Sequence, residues 1–184
     1  MQVIILSAGR GTRLKPLTLT QPKCMVPFLG KPIITRQLDV IMKVDAEIPI
    51  TIVSGYLSRS VRIPGAKYRV VENHRYAKTN MVYSLMLALE DIDDDVIVSY
   101  GDILYSKDVF YRLAISDEDF AVISDRNWEL FWQKRMRNYL SDLESFKTDS
   151  DGYLTEIGSR AKSVADVHGQ YIGLSRISRN KLPF

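Results

Sequence analysis

The chain has a single cysteine, Cys24, and two histidines, His74 and His168, among 184 residues. One thiol cannot close a disulfide within the chain. A reducing compartment suits it, and the expected location is the cytoplasm. Neither histidine has a Cys or His neighbour at metal-ligand spacing, so both read as structural or surface residues. No apolar run approaches the ~20 residues of a membrane-spanning helix, and no charged leader precedes the first strand. Neither a membrane contact nor a signal peptide is expected. Charge of one sign is lacking too. The 25 basic and 22 acidic residues leave +3, too little to imply a nucleic-acid partner, though it does not oppose an anionic substrate. There is no internal repeat, low-complexity tract or linker. The acidic turn Asp91 to Asp95 lacks the spacing and glycine of an EF-hand loop and reads as a solvated turn.

Two common phosphate motifs are also missing. A dinucleotide fingerprint needs a third glycine at position 14, where the chain has Leu14. A P-loop needs Gly-Lys followed by Ser or Thr, but Gly30-Lys31 is followed by Pro32.

What is present begins at the first apolar run. Val3 to Leu6 reads as a buried parallel strand. The stretch from Leu6 to Lys23 follows, with Gly9 and Gly11 free to take positive φ. Such a loop can turn its N–H groups inward as an anion nest. Arg13 and Lys23 add two cations, which suits a ligand of several negative charges such as a nucleoside triphosphate. Pro16 and Pro22 stiffen the loop and keep it from becoming helix.

An apolar fraction of 46% with 26% charged residues is ordinary for a globular protein, and the length suits one domain over residues 1–184. Strand-like and helix-like runs alternate, which points to an α/β fold with a mainly parallel sheet flanked by helices. Helices are expected at Ile33–Val44, with Ile34, Leu38, Ile41 and Met42 on one face, and at Met81–Leu89 after a Thr79 or Asn80 cap. A third follows a Ser106 cap, over Lys107–Leu113, and a fourth spans Trp128–Met136. Strands are expected at Ile50–Ser54, Tyr68–Val71, Val96–Tyr100, Phe120–Ser124 and Gln170–Ile177. Asp149 to Gly152 reads as a hairpin turn between Glu144–Thr148 and Tyr153–Ile157. The C-terminal half looks more antiparallel, as an insertion or lid would.

Val96–Tyr100 ends in Gly101-Asp102. Ligands of open α/β sheets bind beyond the carboxyl ends of strands, so Asp102 is placed to hold Mg²⁺. A plain turn aspartate is the alternative. Further on comes Asp125-x-x-Trp128-x-x-x-Trp132-x-x-Arg135. Trp128, Trp132 and Arg135 share one face of a helix. That face is either a core stripe or an acceptor site. As an acceptor site it would hold an ammonium by cation–π and carboxylate contacts and a phosphate by the guanidinium.

The combination Gly9-x-Gly11-x-Arg13-Leu-x-Pro16-Leu-Thr18, with Pro22-Lys23 after it, resembles the signature of nucleotidyltransferases that activate sugar phosphates, phosphocholine and related small molecules. The later segments Leu140-Ser-Asp-x-Glu144-Ser-Phe146, Glu156-Ile-Gly158 and Gly169-Gln-Tyr-Ile-Gly-Leu174 resemble a subgroup of small cytidylyltransferases. Its members activate phosphocholine, aminoalkylphosphonates or phosphorylated amides. The resemblance implies a Rossmann-like fold and transfer of CMP from CTP to a small phosphorylated or phosphonate acceptor, with Mg²⁺ as cofactor. It implies Arg13, Lys23 and Asp102 as catalytic residues and Asp102 as metal ligand. Nucleotide contacts are expected from Leu6, Ala8, Gly9, Gly11, Thr12, Arg13 and Lys23. Gly55, Tyr56, Asn80 and Ser84 are expected beside base or ribose, although Asn80 reads equally well as a helix cap. Asp125, Trp128, Trp132, Arg135 and Tyr171 are expected to meet the acceptor.

Two rival readings remain at this point. One is a sugar 1-phosphate nucleotidyltransferase using UTP, dTTP or another nucleotide. The other is a non-catalytic regulatory or binding module of the same fold. Relatives of this type take a second magnesium carboxylate from a segment beyond the Gln-Tyr-Ile-Gly-Leu strand, and here Ser175 to Phe184 contains no Asp or Glu. The expectation is therefore a chain shortened at its C-terminus, with Asp166 the nearest substitute and self-association across an uncovered sheet edge as a homo-oligomer.

Overall fold

A computed structural model describes residues 1–90 and 92–182. Asp91 of the acidic turn and the last two residues of the tail lie outside the described residues. The chain divides into two compact units, residues 1–122 with 173–184, and residues 123–172.

The first unit starts with β1, Gln2–Ser7. A two-residue hairpin, β2 (Pro27–Phe28) and β3 (Lys31–Pro32), leads into helix α1, Ile33–Val44. Then come β4 (Ile50–Ser54), β5 (Arg69–Glu72), α2 (Met81–Leu89), β6 (Val96–Tyr100) and α3 (Lys107–Ala114). The chain leaves this unit within β7, Phe120–Asp125. The second unit carries α4 (Trp128–Arg135), β8 (Glu144–Thr148) and β9 (Leu154–Arg160). The chain returns within β10, Gln170–Ile177.

The main sheet has the order β5-β4-β1-β6-β10-β7. β1 lies parallel to β4 on one side and to β6 on the other, with Val3 opposite both Ile50 and Ile97. A central parallel strand covered on both faces needs an unbroken apolar run, and Val3, Ile4 and Ile5 are fully buried. Each such side chain contributes about 1.5–3 kcal/mol on burial. β5 extends the parallel set beyond β4, while β10 runs antiparallel to β6, with Leu174 opposite Ser99. The sheet is thus mixed and mostly parallel, with antiparallel pairing in the C-terminal half. From β1 the chain builds outward through β4 and β5, then crosses back to β6. The order reverses beside β1, which opens a crevice at the carboxyl ends of β1 and β6.

Local signals account for the helices. On α1, Ile34, Leu38 and Ile41 are buried at helical spacing. The Asn80 side chain accepts from the Tyr83 amide and starts α2, and Ser106 does the same for α3 through Val109. Leu89 joins a core with Ile4, Leu6, Val53 and Val98, and Leu85 and Met86 pack against it. Among the described residues no helix is long and apolar enough to cross a membrane.

Several expected boundaries move by one to three residues: β1 runs Gln2–Ser7, α3 ends at Ala114, β7 at Asp125, β5 at Glu72 and β9 at Arg160. Three further ends have a local partner. β5 begins at Arg69 because the Tyr68 hydroxyl is used by the preceding loop, where it accepts from the Ile63 amide at 3.1 Å. β9 begins at Leu154 because the turn takes Tyr153, whose amide donates to Asp149 Oδ1 at 2.8 Å. α4 ends at Arg135, and the Met136 amide closes it on Trp132 O.

In the second unit β8 and β9 pair antiparallel with two irregularities. Its core is Trp128, Leu143, Ala161 and Val167.

Candidate active site

The loop after β1 folds back on itself through Gly11, which has φ 60° and ψ 39°. A side chain there would be strained by the left-handed backbone. It would also meet Lys23, because an added Cβ would lie 2.9 Å from Lys23 Cβ. Gly11 is therefore where the two ends of the loop touch. Thr18 closes the loop further, its hydroxyl donating to Gly11 O at 3.0 Å. A short 3₁₀ turn, Thr12–Leu14, follows Gly11, and a second, Lys23–Met25, opens on Lys23. Its middle residue, Cys24, is buried, and burial together with the negative charge of Asp102 pushes the thiol pKa up.

The Lys23 ammonium donates to the Asp102 carboxylate. The first loop and the turn after β6 are thereby joined at one point. The Gly101-Asp102 turn is pressed against β1. Its Gly101 amide donates to Leu6 O at 2.8 Å, and a Cβ at Gly101 would lie 2.7 Å from Ser7 Cβ. Only glycine fits that approach.

A third wall comes from the segment between β5 and α2. Asn73 is buried and organises it. Its amide nitrogen donates to Thr79 Oγ1 at 3.0 Å and Ser84 Oγ at 2.9 Å, and its Oδ1 accepts from the Arg75 amide at 2.9 Å. Gly55 packs against Tyr76, since a Cβ there would lie 2.6 Å from Tyr76 Cβ, and the Tyr56 amide donates to Ala8 O at 3.0 Å. Arg10 lies over both Tyr56 and Tyr76, with its guanidinium 5.8 and 5.9 Å from the ring centroids.

These walls enclose a pocket of about 370 Å³. Of the residues expected at the nucleotide, Leu6, Ala8, Gly9 and Arg13 line it from the loop. Lys23 and Asp102 line it as well, as do Asn80 and Ser84 at the start of α2. Gly11, Thr12, Gly55 and Tyr56 are not on its surface and act from behind by holding Lys23, the loop turn and Ala8. Ser7, Tyr76, Thr79 and Met81 also line it and were not anticipated. Asn80 Oδ1 is committed to the helix cap, and Ser84 Oγ takes a bond from Asn73. Both readings of Asn80, cap and pocket residue, describe the same side chain.

A larger cavity of about 480 Å³ opens at the other end of the sheet, by Gln2, Pro49 and Tyr68. It faces the amino ends of the strands, away from the switch point, and holds none of the expected residues. The crevice pocket is the one placed for α/β chemistry.

The donor set suits a hard dication. Asp102 offers a carboxylate at the rim of the crevice, one third exposed, and a triphosphate and water would supply the remaining oxygens. Among the described residues no group of three or more His, Cys, Asp and Glu side chains could hold a metal by itself. Asp166, considered as a second carboxylate, is engaged elsewhere. It accepts from the Lys162 and Ser163 amides and pairs with Lys147 at 2.9 Å, and its pKa falls to about 2.

Within the second unit the expected acceptor residues separate. Trp128 is core: it is 4% exposed, and its indole N–H donates to Val167 O at 3.2 Å. This corrects the expectation that it offers an aromatic face to a ligand. Trp132 packs partly against the same core, and Arg135 sits over its ring at 5.4 Å from the centroid. Asp125 Oδ1 accepts from the Asn127 amide and shapes the turn into α4. Tyr171 is half-buried on β10. His168 accepts from the Thr148 amide at 3.0 Å, and His74 is exposed next to Glu72.

Residues 3–162 match the family described as the MobA-like NTP transferase domain. A CTP:phosphoglutamine cytidylyltransferase of Campylobacter jejuni is 37% identical over 187 aligned positions, covering 97% of this chain and 73% of that protein. A choline-phosphate cytidylyltransferase of Streptococcus pneumoniae is 37% identical over 139 positions, covering 68% of this chain and 60% of that protein. Among solved structures, the inositol-1-phosphate CTP transferase from T. maritima has a TM-score of 0.74 at 17% identity, covering 97% of this chain and 71% of that one. At that identity the likeness is one of fold. A glycine loop after β1, joined by a lysine to an aspartate at the end of the neighbouring strand β6, sits here in a sequence matched over most of its length, and the chain belongs to the MobA-like NTP transferase family as a nucleotidyltransferase.

Proposed function

We propose that this chain transfers CMP from CTP to a small phosphorylated or phosphonate acceptor and releases pyrophosphate. The observation that carries the reading is the meeting of Arg13, Lys23 and Asp102 in one pocket with Asn80 and Ser84 at the start of α2. The names of the two cytidylyltransferase relatives support CTP as donor and a small phosphorylated acceptor.

An acceptor phosphate or phosphonate oxygen attacks the α-phosphorus of CTP in line. A new P–O bond forms to the acceptor, the α–β bridging bond breaks, and its electrons leave on pyrophosphate. Every reacting group is anionic, so the protein works by positioning and by neutralising charge. Arg13 and the loop around Gly9 hold the β- and γ-phosphates. Lys23 neutralises the α-phosphate and the approaching oxygen, for which it must leave Asp102. Asp102 would hold Mg²⁺, which when bound supplies charge to the triphosphate. Asn80 and Ser84 bound the nucleoside. We place the protein in the cytoplasm, in keeping with its single buried thiol.

The test is a thermal shift with each of four nucleoside triphosphates, then pyrophosphate release with CTP, Mg²⁺ and a panel of phosphorylated amines and amides. A nucleotide at 100 times its Kd stabilises by about 2.7 kcal/mol. CTP is expected to give the largest shift. A shift with UTP or dTTP alone would change the base. Binding without turnover on any acceptor would favour a regulatory module.

A further inference from the structure

Gln37 stands on the buried face of α1, between Ile34, Leu38 and Ile41, and is 1% exposed. A primary amide is costly there unless it is hydrogen-bonded. All its bonds go to one short segment. Nε2 donates to Tyr100 O at 2.8 Å and to Ile103 O at 2.7 Å, and Oε1 accepts from Ser99 Oγ at 3.1 Å. The two protons of one amide are thus divided between the carbonyl before Gly101-Asp102 and the carbonyl after it. On the opposite side the turn is held by β1, through Gly101 and Leu6 O. An apolar side chain of equal volume would fill the space in α1, but it would not tie those two carbonyls together.

We propose that Gln37 is a positioning residue that fixes the backbone from which Asp102 reaches Lys23 and the metal–nucleotide. The inference rests on the role given to Asp102 above. An error of about 1 Å in such a group can cost ~100-fold in rate. Gln37 does not line the crevice pocket and acts on it through the turn.

The experiment measures CTP affinity by calorimetry across a magnesium titration, with kcat/KM and Tm alongside. It uses the wild type, Gln37→Met, Asp102→Ala and the double variant. Gln37→Met is expected to raise the magnesium needed for half-maximal CTP binding by at least ~10-fold, and to add nothing in the Asp102→Ala background, since residues acting as a unit are not additive. An unchanged magnesium dependence in Gln37→Met overturns the inference, as does an effect that adds in full to Asp102→Ala. Should Gln37→Met fail to fold, Ser99→Ala removes the bond that orients the amide, along with the longer bond from the Ser99 hydroxyl to Tyr100 O at 3.3 Å, and is expected to shift the same titration in the same direction. No shift there overturns the inference as well. If the wild type binds CTP with no dependence on magnesium, the role of Asp102 falls first and this inference with it. If the wild type shows the dependence and the variants match it, the inference falls alone.

Discussion

Replacing Gly11 by alanine perturbs the loop where its two ends touch. The backbone there has φ 60°, a region that costs a residue with a Cβ about 1–2 kcal/mol. The new methyl would lie 2.9 Å from Lys23 Cβ, 3.2 Å from Thr18 Cγ2 and 3.3 Å from Lys23 Cδ. Overpacking of that kind adds about 1–3 kcal/mol. The sum, about 2–5 kcal/mol, corresponds to a Tm fall of roughly 4–20 °C for a domain of this size. Thr18 is buried and bonded to Gly11 O, so Lys23 is the group that must give way, and its ammonium would leave the pocket geometry. The assay is a thermal melt, followed by kcat/KM for CTP at a temperature where the variant is folded. Gly9→Ala is the stability control, because an added Cβ there meets nothing within 4 Å. We expect Gly11→Ala to lose stability and at least ~10-fold in kcat/KM, and Gly9→Ala to keep its Tm. A Gly11→Ala protein with wild-type Tm would refute the loop argument. A lowered Tm with wild-type kinetics would refute the link from Gly11 to Lys23.

Lys23→Ala and Arg13→Ala are each expected to lower kcat/KM by at least ~100-fold, since each removes a preorganised charge; near-wild-type kinetics would remove that residue from the mechanism. Trp128→Ala should cost about 3–5 kcal/mol in a chemical melt as a core truncation, whereas Trp132→Ala should raise the acceptor KM more than the CTP KM. Equal effects of Trp132→Ala on both substrates would take it out of acceptor binding. The Asp166 carboxyl is held down to about 2 by Lys147 and by the Lys162 and Ser163 amides. A depressed carboxylate stabilises the fold above its unfolded value of ~3.9 and loses that contribution as pH falls toward 2. NMR titration should find its midpoint well under that of a free aspartate, and Lys147→Met should raise it.

The chain's local order was written in its local chemistry. α1 occupies the expected Ile33–Val44, α2 the expected Met81–Leu89 behind its Asn80 cap, and β6 the expected Val96–Tyr100, because caps and apolar spacing act within a few residues. The glycine loop and Asp102 were legible for the same reason, each lying at the carboxyl end of a recognisable strand. Sequence alone also held a signal that was passed over. Gln37 interrupts the apolar face of α1, and a polar residue there demands a partner.

Tertiary structure decided which residues meet. Lys23 and Asp102 are 79 positions apart, and only the parallel pairing of β1 with β6 brings their loops together. Asn73 is an ordinary turn asparagine until Ser84 arrives, eleven residues on, to accept its second proton. Trp128, Trp132 and Arg135 do follow helical spacing, but spacing names a face and not what covers it. Trp128 was covered by Leu143 and Val167, and the ring of Trp132 by the chain's own Arg135. Periodicity is a property of one element, whereas burial belongs to the pair of elements that pack, and the second member of the pair is chosen by the fold.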